Sequence, residues 1–170
     1  MKIKLYNFSR YSNDILKKAC EYAYRVNNCR GEVVVKVTRG GYRTRSYARG
    51  CYVVYRHFLS TRSYTKSSNY TKLKEGSIYC NGLVVLKPNK FYNRNSLENA
   101  QHLMNTIIHE FKHIVDFQNK EYFGQYDRKW AERPHECRAV EFTKEVEKKA
   151  DSEYQNIVID LAIEKEEKYI

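Results

Sequence analysis

Ser96 to Asn119, SLENAQHLMNTIIHEFKHIVDFQN, is the stretch that decides how this chain is read. Ser96 with Asn99 three residues on is a helix-start signal, and helical periodicity continues from there to about Asn119. At about 100° per residue, Leu103, Ile107, Phe111 and Ile114 fall on one face, flanked by Met104 and Val115. His109 and His113 fall on the opposite face, where Asp116 and His102 lie too. The spacing therefore predicts a helix that turns one side to a core and keeps the other for polar chemistry.

Within that helix, His109-Glu110-Phe111-Lys112-His113 has the form H-E-x-x-H. Two imidazoles four residues apart on a helix point to one side, close enough to share one ion, and zinc takes neutral imidazoles and carboxylates in tetrahedral geometry. The Glu between them, Glu110, is not a ligand by this reading. It is placed as the general base that takes a proton from a water whose pKa the metal has lowered to about 7. Asp116 is expected to hold His113 by a supporting hydrogen bond, as metal-binding imidazoles usually require.

A short string with two wildcards also arises by accident, so the following segment matters. A loop over 120–131 leads to Arg133-Pro134, and proline suits the first turn of a helix, which should run to about Ala150. Counted from Pro134, the apolar arc holds Ala139, Val140, Phe142, Val146 and Ala150, and Glu136 projects from its middle. A carboxylate on a buried face is costly unless it is paired or binds a metal, which makes Glu136 the candidate third ligand. The competing assignment is a buried ion pair with Arg133 or Arg138. Glu132, Asp127 and Glu141 are weaker rivals for the ligand role. Asp151-Ser152 should interrupt the helix, and Tyr154, Ile157, Val158, Leu161 and Ala162 recur at helical spacing beyond it.

Upstream, Ser12-Asn13-Asp14 caps a first amphipathic helix carrying Ile15, Leu16, Ala19, Tyr22, Ala23 and Val26. Glu32–Thr38, Cys51–Phe58 and Ile78–Leu86 read as strands, with Asn81-Gly82 marking a hairpin or bulge and Pro88 an end. Residues 42–50 read as an extended arm or a further strand, and the polar stretch 59–77 as a surface loop that would overhang a cleft. With 170 residues, no repeat and no linker, the expectation is one domain over 1–170.

Composition narrows the class further. Apolar residues make up 42% and charged residues 30%, with two prolines, which is globular rather than disordered. Five scattered cysteines without a C-x-x-C pair argue against a disulfide framework or zinc knuckle and for reduced thiols acting as small hydrophobes. Neither a signal-peptide core nor a membrane-length apolar run is present, so a cytoplasmic location without a membrane partner is expected. Low proline with many Lys, Asn, Tyr and Ile fits an AT-rich genome such as that of a phage or mobile element. The net charge of +11 is uneven: residues 1–94 hold 20 Lys+Arg against 4 Asp+Glu, and residues 95–170 hold 11 against 16. A basic half with interleaved tyrosines, as in GGYRTRSYARGCYVVYRHF, would suit nucleic acid through phosphate contacts and stacking, or would steer acidic proteins.

HEFKHIVDFQ followed by WAERPHECRA resembles the zincin metallopeptidases of the gluzincin type, in particular small HExxH metallopeptidase-like domains whose second helix supplies a Glu. The resemblance covers about residues 97–145. It implies an α+β, zincin-like fold: a small twisted mixed sheet packed on the active-site helix, then a glutamate-bearing helix and a C-terminal helix. It also implies Zn2+ held by His109, His113 and Glu136, with Glu110 as base and a protein or peptide as substrate. In such a fold an extended peptide pairs with an edge strand, for which Val84–Leu86 is the candidate. Tyr126, His135 and His102 are candidates to stabilise the oxyanion. The alternatives are a basic zincin acting on or near DNA-bound proteins and a binding module with a structural or vestigial metal site. The sequence lacks the N-E-x-x-S-D signature of thermolysin-like enzymes and the third histidine of metzincins.

Overall fold

The structure is a computed structural model and describes residues 2–7, 9, 11–37, 50–54, 82–86, 96–119, 121 and 128–167. Its elements are mixed α and β: strand β1 (Lys2–Asn7), helix α1 (Asn13–Val26), strands β2 (Glu32–Val37), β3 (Gly50–Val54) and β4 (Gly82–Leu86), then helices α2 (Ser96–Gln118), α3 (Pro134–Lys148) and α4 (Ser152–Glu167). A short 3-10 turn, Trp130–Glu132, precedes α3.

The four strands form one sheet in the order β1-β2-β4-β3. β1 pairs with β2 and β2 with β4 in parallel, whereas β3 runs antiparallel to β4, with Tyr52 opposite Val84. This corrects one expectation. Val84–Leu86 belongs to β4, which is enclosed by β2 and β3, so its backbone donors and acceptors are taken on both sides; among the described residues the outermost strand on that side is β3. β1 is a second departure, since no strand was expected over 2–7. Its alternation is short: Ile3 and Leu5 pack on the core while Lys4 and Tyr6 face outward. The expected strands at Glu32–Thr38, Cys51–Phe58 and Ile78–Leu86 are met by β2, β3 and β4 as far as they are described. Thr38, residues 55–58 and 78–81, the 42–49 arm, the 59–77 loop and Pro88 lie outside the described residues.

Helix α2 lies at the centre, in contact with β3, β4 and each of the other three helices. Leu103, Met104, Ile107, Ile108, Phe111 and Ile114 are fully buried along it. Each such side chain contributes about 1.5–3 kcal/mol relative to exposure, so this helix anchors the core. Val33, Val35 and Val37 of β2, Leu16, Ala19 and Ala23 of α1, and Tyr154, Ile157 and Leu161 of α4 join the same cluster.

Local signals set the helix ends. Ser12 caps α1, accepting from the Ile15 amide at 3.3 Å. At the other end Asn28 takes a left-handed φ of 55°, and the Asn28 and Cys29 amides return to the carbonyls of Arg25 and Tyr24. That closure turns the chain into β2. Asp151 accepts from the Tyr154 amide at 2.8 Å, so the expected interruption before the last helix is a capped break. Among the described residues, no helix is long and apolar enough to cross a membrane. Cys20 and Cys29 are buried and Cys137 half-buried, all three as free thiols.

Candidate metal centre

The polar face of α2 is covered by α3. Pro134 opens α3 with Arg133 extended before it, and the helix then buries Ala139 and Thr143 and packs Phe142 and Val146 against the core. This phase carries Glu136, in the first turn, inward to the histidines of α2.

His109, His113 and Glu136 meet as a group that could hold a metal ion. His109 Nε2 lies 3.1 Å from Glu136 Oε2, His113 Nε2 lies 3.3 Å from the same oxygen, and the two imidazole nitrogens are 3.2 Å apart. The rings stand nearly perpendicular, at 85° with centroids 4.7 Å apart, so both nitrogens can aim at one point without stacking. The donor set fits an ion. Tetrahedral coordination at about 2.0–2.1 Å places ligand atoms roughly 3.3 Å apart, which is the spacing of this triangle. His113 and Glu136 are buried and His109 nearly so.

Electrostatics at the centre follow from burial and proximity. Burial works against the charge on Glu136, but His109, His113 and His135 around it outweigh that effect and hold its carboxyl well below the ordinary value. For His109, burial by itself would lower the pKa; contact with Glu136 and the nearby charge of Glu110 reverse the sign and raise it, with His135 opposing. The triangle thus calls for a positive partner, which a proton on His109 or a metal ion supplies. Glu110 is itself buried on α2, next to His109 in sequence.

The other expected residues divide. His135 is buried, with Nε2 3.4 Å from Glu136 Oε1, whereas the α2 histidines pair with Oε2. His102 stands 3.7 Å from Glu98 and is outside the group. Glu132 and Glu141 are exposed, and Tyr126 and Asp127 lie outside the described residues. Among the described residues the ion pairs recorded for Glu136 are with histidines: Arg138 goes to Asp116 and Glu121, and Arg133 Nε donates to the Arg128 carbonyl.

Asp116 departs from expectation. It is fully buried, and its oxygens accept from Lys112 Nζ and from Arg138 Nε at 3.2 Å in place of supporting His113. The Lys112 pairing was legible as an i,i+4 contact of opposite charges. The Arg138 pairing crosses from α3 to α2 and left no local signal.

No protein-family model matches the chain, and no curated protein or solved structure matches it.

Proposed function

We propose that the chain is a zinc-dependent metallopeptidase of zincin-like, gluzincin type. One observation carries this reading: the donor atoms of His109, His113 and Glu136 converge at ligand spacing while Glu110 is buried on the same helix. Two imidazoles and one carboxylate are a zinc donor set, and three protein ligands leave a position open for chemistry. A mixed sheet against the histidine helix, followed by the glutamate helix, agrees with the zincin resemblance.

Bound there, zinc would act as a Lewis acid, lowering the pKa of a bound water to about 7 and polarising the scissile carbonyl. A carboxylate oxygen of Glu110 takes the proton as the water oxygen bonds to the carbonyl carbon. Glu110 then returns that proton to the amide nitrogen as the C–N bond breaks, leaving a carboxylic acid and an amine. His109, His113 and Glu136 hold and orient. The substrate would be an extended peptide adding beside β3, the outermost described strand on that side, rather than beside the enclosed β4.

The test joins metal content to hydrolysis. Mass spectrometry should find about one zinc per wild-type chain and weakened binding in Glu136→Ala. Glu110→Gln should keep the metal and lose cleavage of a fluorogenic peptide library. A wild-type protein that takes up no zinc, or a fully active Glu110→Gln, would overturn the proposal.

A further inference from the structure

Glu136 offers two oxygens, and each faces a different partner. Oε2 is directed at His109 and His113, at 3.1 and 3.3 Å, whereas Oε1 lies 3.4 Å from His135 Nε2. His135 is 3% exposed, and its ring packs at 65° to that of His113 with centroids 5.6 Å apart. It therefore packs against both the carboxylate and one of the α2 imidazoles. Burying an imidazole is costly unless its nitrogens are used, and Glu136 Oε1 lies within reach of Nε2. His135 is outside the group of converging donor atoms, so it does not act as a ligand in this arrangement.

We propose that His135 is a positioning residue: its Nε2–H is directed at Glu136 Oε1 and so presents Oε2 alone to the metal. This rests on the metal reading of the site. A carboxylate with both oxygens available can swing between one-oxygen and two-oxygen coordination. A donor on Oε1 would remove that freedom, leaving Oε2 as the oxygen Glu136 offers to a bound ion. Ligating carboxylates are commonly held in this way, and removing such a support costs about 10- to 100-fold in metal affinity.

Two substitutions separate donation from packing. His135→Gln places an amide N–H near the position of Nε2, and His135→Phe keeps ring size and burial but removes the donor. Zinc titration should give His135→Gln within about threefold of wild type and His135→Phe about 10- to 100-fold weaker. The two metal-free variants should melt alike. Cobalt loading supplies the signature that packing would not change. Wild type and His135→Gln should show the intense visible absorption of a four-coordinate site, and His135→Phe a weaker band as Glu136 moves to two-oxygen coordination. In the wild-type metal-free protein, nitrogen NMR should find His135 as its Nε2–H tautomer, a readout that does not depend on the folding of a variant.

An Nδ1–H tautomer with a bare Nε2, or a folded His135→Phe with wild-type zinc affinity and cobalt spectrum, would overturn this role. Failure of the metal reading is distinguishable, because it would appear as a wild type that binds neither ion.

Discussion

Replacing Asp116 with alanine should destabilise the protein by about 2–3 kcal/mol, and the structure sets that range. The carboxylate is fully buried and accepts from Lys112 on its own helix and from Arg138 on α3. Breaking a buried pair from one side costs about 3–5 kcal/mol when a charge is left stranded. Here neither cation is fully stranded. Arg138 is about a third exposed and keeps Glu121 at 2.9 Å, and Lys112 retains partial access to water and the Phe142 ring at 5.8 Å. The low end of that range therefore applies. A further offset comes from position: Asp116 lies two residues before the end of α2, where a negative charge opposes the helix dipole, and removing it returns about 0.3–1 kcal/mol. For a chain of this length the net effect corresponds to a fall in melting temperature of about 4–12 °C. Urea unfolding followed by circular dichroism measures it, with the midpoint expected to drop at unchanged slope. Glu121→Ala is the control, because that carboxylate is 41% exposed and its contribution should stay within about 1 kcal/mol. A loss below about 1 kcal/mol in Asp116→Ala would show that the carboxylate is effectively solvated and would refute this reasoning.

Zinc at about one hundred times its dissociation constant should raise wild-type stability by about 2.7 kcal/mol, or roughly 5–11 °C, with a chelator reversing the shift and Glu136→Ala abolishing most of it. Differential scanning fluorimetry with and without zinc checks both. Burial pushes the Cys20 and Cys29 thiols up to about 12, so native protein should resist alkylation there at pH 8 while Cys137 reacts before either; rapid native labelling of Cys20 in a peptide map would contradict the packing of α1. Phe111→Ala removes a fully buried ring from the central helix and should cost about 3–5 kcal/mol in the same urea assay, whereas a cost below about 1 kcal/mol would mean that α2 does not anchor the core.

Readability from sequence followed the range of the interactions. α2 was legible because its apolar period persists over a long helix, and the histidine pair because i,i+4 spacing is a local property. Glu136 was legible for another local reason, a charge in the middle of an apolar arc, and its burial against the histidines agrees with that logic. Strand order was not legible. Alternation says which face of a strand is buried but not which strand lies beside it, and the pairing of β4 between β2 and β3 rests on backbone hydrogen bonds that carry no side-chain identity. Hence the segment nearest α2 in sequence resembled an edge when it is enclosed. β1 escaped for want of signal, since only Ile3 and Leu5 mark its buried face.

Asp116 shows how a correct placement can still yield a wrong partner. From its position on α2, both His113, three residues back, and Lys112, four back, are within reach, and spacing does not choose between them. Charge does. A carboxylate hydrogen-bonded to a full cation gains about twice what it gains from a neutral donor, and a metal-binding imidazole must be neutral. Lys112 therefore wins locally, and Arg138, brought over by α3, takes the second oxygen. The consequence reaches the metal centre from a different side. Arg138 sits two residues after Glu136, so the bond from Asp116 to Arg138 ties the first turns of α3 to α2. The carboxylate expected to support an imidazole on its own helix instead helps fix where Glu136 stands. If the site takes zinc as proposed, Asp116→Ala should accordingly weaken zinc binding as well as folding, although Asp116 is not one of the three candidate ligands.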